Sequence, residues 1–176
     1  MSYTAPRVIA IPFAISTLGI WAAIDPRYGT GGAGAVWPAA NLAIYVPVCI
    51  PVPVVVRKLG IVVATAAGNF DLGIYTSSGT RLISTTSTVM AGASTEQFVD
   101  ITDTTLGIGL YYLAACCDDG AATVNRVAPA APIPLSLGVL TEALGSVTLP
   151  ATATFAANQT LAYIPDLMAM LEATAA

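Results

Sequence analysis

The segment 69–118 alternates short apolar runs with clusters of turn residues. The runs are rich in Ile, Val, Thr, Tyr and Phe, and Gly, Ser, Asn and Asp separate them. Antiparallel strands joined by tight turns have this pattern. The sequence therefore predicts an all-β protein, an antiparallel β-sandwich of the jelly-roll-like or immunoglobulin-like kind.

A β-hairpin is predicted at the start of this segment. Phe70, Leu72 and Ile74 fall on one face of a strand and alternate with Asp, Gly and Tyr on the other, so we expect the first face to point inward. Gly79 supplies a turn position where positive φ is easiest. The return strand, 81–88, is rich in Ser and Thr, and we interpret it as solvated surface.

The run 108–117 is the most hydrophobic strand, and both of its faces are apolar. Such a strand is either covered on two sides or has its outer face in an interface. We therefore expect Tyr112 and Leu113, together with Ile74 of the hairpin, to contribute to core or interface packing.

Prolines shape the segment that precedes the hairpin. Three prolines fall within residues 47–53, which excludes a helix and a central strand and predicts an edge strand or an extended crossing over 46–53. Residues 54–65 are predicted to form a buried strand. Within it, Arg57 and Lys58 indicate a bulge or a rim where the strand meets solvent.

The N-terminal run 8–24 contains no charge and includes Pro12 and Gly19. It is short for a membrane-spanning helix and fits a signal peptide poorly, and a signal-derived origin is the alternative. We predict an apolar arm or edge strand that docks on its own sandwich or on a neighbouring subunit, and we favour the neighbour. The expected interface residues of the arm are Ile9, Ile11, Phe13, Ile15, Leu18, Ile20 and Trp21.

Three regions follow from these patterns. Residues 1–34 form an extended apolar arm and a Gly-rich joint, residues 35–150 form the sandwich, and residues 151–176 form a short C-terminal tail. Pro165 and Asp166 have the chemistry of a helix start. The tail is therefore predicted to contain a short docking helix.

Composition points to assembly. Only 9% of the residues are charged and 56% are hydrophobic, whereas about 25% are charged in an average soluble domain. So few charges cannot cover the surface, and we infer that much of it is buried against other copies of the chain. The six basic residues are scattered and the net charge is −4, so neither nucleic acid nor a membrane surface is an expected partner.

The chemistry-bearing residues are few. The chain has three cysteines without metal-ligand spacing and no histidine. We therefore expect neither a zinc site nor a disulfide scaffold. We expect synthesis in a reducing compartment. Without a nucleophile motif we expect no enzyme and no cofactor.

Four carboxylates are the remaining candidates. They fall near the ends of predicted strands that would share one rim, and a calcium site or a glycosidase-like pair would use them. Alternatively, Asp103 and Asp118 form Asx turns. The candidates are Asp100, Asp103, Asp118 and Asp119.

Three stretches carry a resemblance to a known family. WPAANLAIYVPV, GNFDLGIYTSSGTRLIST and FVDITDTTLGIGLYYLAACCDDG resemble the small β-sandwich virion proteins of tailed bacteriophages, in which a G-I-Y hairpin and a G-x-Y-Y-L strand recur. The resemblance covers residues 37–120. It implies a non-enzymatic structural protein of the phage head or tail, made in the host cytoplasm and located in the virion.

The resemblance also implies partners. These are the chain itself, as a homo-oligomer for which a trimer is one option, and other virion proteins. An alternative function is a carbohydrate-binding adhesin or receptor-binding module on a virion or cell surface. Its stacking rings would be Trp21, Trp37, Tyr75, Tyr111 and Tyr112.

Overall fold

The computed structural model describes residues 15–16, 19–22 and 33–171, with the backbone alone for 15–16, 19–22, 33 and 171. Within these residues the chain forms two antiparallel sheets and one short helix. The elements in chain order are β1 (Ile15–Ser16), β2 (Gly19–Ala22), β3 (Ala33–Val36), β4 (Leu42–Ile50), β5 (Val54–Thr65), β6 (Asn69–Thr76), β7 (Arg81–Ser84), β8 (Thr88–Val89), β9 (Thr95–Leu106), β10 (Gly109–Cys117), β11 (Thr123–Val127), α1 (Ile133–Ser136), β12 (Leu140–Ala143), β13 (Ile164–Pro165) and β14 (Leu167–Leu171).

Sheet A is built around β5. One edge of β5 pairs with β9, and its other edge pairs first with β14 and then with β11. β2 and β1 extend the sheet beyond β14, while β3 and β13 pair with β11. The bounds of β5 match the predicted strand. Its register with β9 shifts between Val56 and Lys58, which confirms the predicted bulge.

Sheet B has the strand order β12-β4-β10-β6-β7, with β8 also pairing with β6. The predicted hairpin is confirmed as β6 and β7, and Gly79 in its turn has a φ of +89°. β12 pairs with β4 only over Leu42–Tyr45. Pro47 therefore lies beyond the paired part of β12. A proline is tolerated there because β12 needs no N–H from this position of β4.

The inner faces of the two sheets enclose an aliphatic core. Ile74 and Leu113, both predicted to pack, are 0% and 3% exposed. The strands meet there because β-branched and Leu side chains alternate along β4, β5, β6 and β10. The all-β sandwich predicted from the pattern of apolar and turn residues is confirmed.

A second apolar cluster lies on the outer face of sheet B, where Tyr45, Tyr75 and Tyr112 project. Residues 144–163, which we call the strap, connect β12 to β13 and cover this cluster with Val147, Leu149 and Phe155. β10 is thus covered on both faces by its own chain. The prediction that this strand is covered on two sides is confirmed for the residues beneath the strap.

The predicted C-terminal helix is wrong. Residues Leu167–Leu171 form β14, which lies between β5 and β2 in sheet A. Leu167, Met168 and Ala169 are all buried, as a strand covered on both sides requires. A short apolar run does not distinguish a helix from a buried strand, and the strand pairing with β5 decided the outcome.

The described part of the N-terminal apolar run is an edge strand. β2 pairs with β14 of the same chain, with Trp21 opposite Met168, which is the docking on its own sandwich that the sequence left open. Ile9, Ile11, Phe13 and Leu18 lie outside the described residues, and the proposed interface role of the arm stays a prediction. None of the described helices has the length and apolar character needed to span a membrane.

Candidate functional site

The strap is fixed to the outer face of sheet B by tyrosines. The Tyr75 hydroxyl donates to the carbonyl oxygen of Pro150 in the strap at 2.6 Å. The Tyr45 hydroxyl donates to Oε2 of Glu142 on β12, just before the strap, at 2.7 Å. The ring centroids of Tyr112 and Phe155 are 4.8 Å apart. Burial raises the pKa of both Tyr45 and Tyr75, so these hydroxyls stay protonated and act as donors.

Asp71 is the buried anchor of the strap. Its side chain is fully buried, Oδ2 accepts from the Leu149 N–H at 2.9 Å, and Oδ1 accepts from the Thr85 hydroxyl at 3.2 Å. The Arg81 guanidinium donates to the Leu149 carbonyl. Burial raises the pKa of Asp71, although its hydrogen bonds and Arg81 act in the opposite direction. Asp71 thus joins the strap at Leu149 to the β7–β8 connection at Thr85.

The Ser/Thr-rich return strand therefore needs a correction. Thr85 was expected on a solvated face, but it is 9% exposed, and its hydroxyl accepts from the Leu72 N–H at 2.9 Å while bonding Asp71. A threonine hydroxyl at this position satisfies polar groups that the strap encloses. Leu82, by contrast, is exposed as expected of a surface strand.

The same outer face continues beyond the strap and is bare there. Leu110 is 46% exposed and lies directly opposite the exposed Cys49 on β4. Ile108 and Val52 are 73% and 50% exposed in the neighbouring turns, β9–β10 and β4–β5. We call Cys49, Val52, Ile108 and Leu110 the apolar end.

The two turns of the apolar end lie side by side. Each crosses between the sheets at the same end of the sandwich, because β4 pairs with β10 in sheet B and β5 pairs with β9 in sheet A. Residues 42–56 and 104–117, which form these strands and turns, contain no charged side chain. The result is an exposed apolar surface without charge.

The four carboxylate candidates do not form a calcium site. Asp100 lies 2.9 Å from the Lys58 ammonium and Asp103 lies 3.4 Å from Nε of Arg57, both from within β9. No group of three or more His, Cys, Asp or Glu residues in the described part of the chain is arranged to hold a metal ion. The Asx-turn alternative is wrong for Asp103, since it sits inside a strand.

The other two carboxylates stabilise backbone at the end of β10. Asp118 accepts from the backbone N–H and the side-chain amide of Asn69, at 2.6 and 2.8 Å. Asp119 accepts from the Ala121 N–H at 2.7 Å, the geometry of a turn in which an Asp side chain bonds the backbone two residues on. The structural role is therefore clear for both residues.

The aromatic rings of the adhesin alternative are mostly inside the protein. Trp37, Tyr75 and Tyr112 are 1%, 0% and 9% exposed, so these three cannot stack on a sugar. Tyr111 is half-buried. The Trp21 side chain lies outside what the structure describes.

Cys116 and Cys117 point to opposite faces of β10, as adjacent residues of a strand do. Cys117 enters the core between the sheets, and Cys116 enters the cluster beneath the strap. Burial raises the pKa of Cys116 to about 12 and that of Cys117 further. Neither thiol is activated as a nucleophile.

A groove of about 520 Å³ opens beside the end of the strap. Its walls come from Pro38 and Leu42, from Arg126 on β11, and from strap residues 158–163. The sequence does not reveal this groove, because its residues are far apart in the chain. No local motif connects them.

Two surface features are thus candidates for function, the apolar end and the groove beside Arg126. Comparisons with known proteins found no matching family model, no matching curated protein and no matching solved structure.

Proposed function

We propose that this chain is a non-enzymatic structural protein of a phage particle, in its head or tail, and that it assembles with copies of itself and with other particle proteins. The apolar end is the observation that carries the proposal. Its residues are held on paired strands and crossing turns rather than on a loose loop. A rigid exposed apolar surface of this kind is typical of protein–protein interfaces.

The physical argument is the cost of exposure. Removing apolar surface from water stabilises a complex by roughly 25 cal/mol per Å², and at the apolar end no charge would have to be desolvated in the process. Elsewhere the described surface carries charged side chains, among them the ion pair of Lys58 with Asp100. Burial of the apolar end therefore removes exposed apolar side chains from water without desolvating a charge.

A second copy of the chain is the partner we propose for this surface. An uncharged patch is complementary to itself, and a two-fold or higher closed symmetry brings identical patches together. The low charge of the whole chain favours the same conclusion, because a chain with 9% charged residues solvates poorly alone.

The absence of an assembled catalytic group among the described residues is consistent with a structural role. The buried carboxylate of Asp71 holds the strap, and the thiols of Cys116 and Cys117 are packed in apolar clusters. The adhesin alternative is less favoured, because three of its five proposed stacking rings are buried.

Incorporation into particles tests the proposal. Cells that produce the particle whose genome encodes this chain would express a tagged copy, either unchanged or with Ile108→Asp. Val89→Asp is the matched control, because Val89 is 69% exposed on β8, outside the apolar end.

Mass spectrometry of purified particles would quantify the tagged chain. We expect the unchanged copy and Val89→Asp in the particles, and at least about a tenfold loss of Ile108→Asp at equal cellular levels. Absence of the unchanged copy from particles would refute the virion role. Equal incorporation of Ile108→Asp would refute the role of the apolar end.

A further inference from the structure

The groove beside Arg126 has the size of a small-molecule site. Its volume of about 520 Å³ falls in the range of roughly 300–1,000 Å³ that is typical of ligand pockets. Pro38 and Leu42 form an apolar wall, and the polar side chains of Asn158 and Thr160 lie on the strap side. The groove shares no residue with the apolar end.

Arg126 is fixed in this groove by two contacts. Its Nη1 donates to the Ala162 carbonyl at 2.8 Å, and its guanidinium carbon lies 5.1 Å from the centroid of the Tyr163 ring. The Tyr163 ring is itself held, because its hydroxyl donates to the carbonyls of Ala35 and Val124. The cation is therefore oriented before any ligand binds, which lowers the cost of binding.

The charge of Arg126 is not compensated by a described carboxylate. Arg57 and Lys58 each form an ion pair with an aspartate of β9, and the charge of Arg81 acts on Asp71. No described Asp or Glu lies within ion-pair distance of Arg126. Its Nε is also shielded from solvent and lacks a hydrogen-bond partner. A partly desolvated guanidinium in this state favours an anion, and a carboxylate matches the planar fork of its donors.

The strap side of the groove adds groups that recognise hydroxyls. The side-chain oxygen of Asn158 accepts from the backbone N–H and the hydroxyl of Thr160, at 3.0 and 2.9 Å. This turn fixes the Asn158 amide and leaves its nitrogen as a donor with no acceptor among the described residues. The Thr160 oxygen keeps its capacity to accept.

We propose that this groove binds an acidic monosaccharide of the uronic acid class. Arg126 pairs with the carboxylate, Asn158 and Thr160 hydrogen-bond ring hydroxyls, and the apolar face of the ring packs on Pro38 and Leu42. An aliphatic acid would leave the Asn158 and Thr160 groups unused, and a neutral sugar would leave the Arg126 charge uncompensated. The inference does not depend on the proposed role in a particle.

Calorimetric titration of the full chain with three probes tests the inference. Glucuronate carries both the carboxylate and the hydroxyls, glucose lacks the carboxylate, and hexanoate lacks the hydroxyls. We expect saturable glucuronate binding that is at least about tenfold tighter than binding of either other probe. Arg126→Gln should weaken it about tenfold or more and Asn158→Ala several-fold, while Lys58→Gln should leave it unchanged.

Arg126→Gln also removes the bond to Ala162, so the fold of this variant would be checked by circular dichroism. If this variant is unfolded, two other measurements test the inference. They are the weaker glucuronate binding expected of Asn158→Ala, and the loss of glucuronate affinity expected in 0.5 M salt, which screens the charge of Arg126. Absence of saturable glucuronate binding would overturn the inference. Equal affinity for glucose or hexanoate, or no effect of the folded variants, would overturn it as well.

Discussion

The outer face of sheet B has two halves that differ in what covers them. Tyr112 lies beneath Phe155 of the strap and is 9% exposed, whereas Leu110, two residues earlier on the same face of β10, is 46% exposed. The chain covers one half with its own segment and leaves the other bare. Apolar surface that a chain leaves bare on a rigid sheet is available to another chain, which is the basis of the proposed assembly.

The covered half also shows how the covering is achieved. The strap forms only isolated bridges, such as Thr80 with Thr152, so a continuous strand ladder does not hold it. Backbone hydrogen bonds at these bridges and side-chain hydrogen bonds from Tyr75 and to Asp71 fix it together. The bare half has no comparable set of polar anchors, because its segments carry no charge.

The largest expected difference between the halves is in thiol reactivity. Cys49 is exposed on the bare half, and Cys116 is buried on the covered half with a pKa raised to about 12. At pH 8 a pKa near 12 leaves only about one thiolate in ten thousand. In the dilute native protein we expect Cys49 to react with iodoacetamide at least about a thousandfold faster than Cys116. Peptide mass spectrometry measures both rates, and comparable rates would show that the strap does not cover Cys116.

The next effect is the loss of a covered ring. Tyr112→Ala should lower the free energy of unfolding by about 3 kcal/mol, because it removes a buried aromatic side chain from the cluster. Leu110→Ala on the bare half should cost less than about 1 kcal/mol. Urea unfolding measures both. A cost below about 0.5 kcal/mol for Tyr112→Ala, which is typical of surface sites, would contradict the covered position of this residue.

The strap anchor should contribute a smaller amount. Asp71→Ala leaves the buried Leu149 N–H without its acceptor and removes one of the two acceptors of the Thr85 hydroxyl, which should cost about 2 kcal/mol. Asp71→Asn keeps an acceptor for Leu149 and should cost less. Hydrogen exchange of the Leu149 amide locates the effect. Unchanged protection in Asp71→Ala would mean that the strap is held without this carboxylate.

The smallest effect is a pH dependence. Burial raises the pKa of Asp71 above its usual value of 3.8, so the folded state binds this proton more tightly than the unfolded state does. The stabilisation is complete below the unfolded pKa and is lost as pH rises through the folded pKa. Between about pH 4 and pH 7 the wild type should therefore lose more stability than Asp71→Asn. Parallel pH profiles of the two proteins would contradict the raised pKa.

The sequence predicts the elements whose signals are local. The strand β5 with its bulge at Arg57 and Lys58, the hairpin of β6 and β7, and the apolar strand β10 all follow from alternation, turn residues and β-branched runs. These patterns depend on neighbours in the chain. They therefore required no knowledge of the tertiary structure.

The strap and the groove could not be predicted in this way. The alternation of Asp71 with apolar residues predicts a solvated face, but residues more than seventy positions later cover it. Arg126 and Asn158 line the same groove only because the strap returns across β11. Contacts between distant segments decide these sites, and β14 was mistaken for a helix for the same reason.

Light scattering of the purified chain tests the proposed assembly most directly. We expect the wild type and Val89→Asp to form the same oligomer at micromolar concentration, and Ile108→Asp to dissociate to a monomer with unchanged stability, because Ile108 is 73% exposed. A stable, soluble wild-type monomer at that concentration, or an Ile108→Asp oligomer identical to the wild type, would contradict assembly through the apolar end.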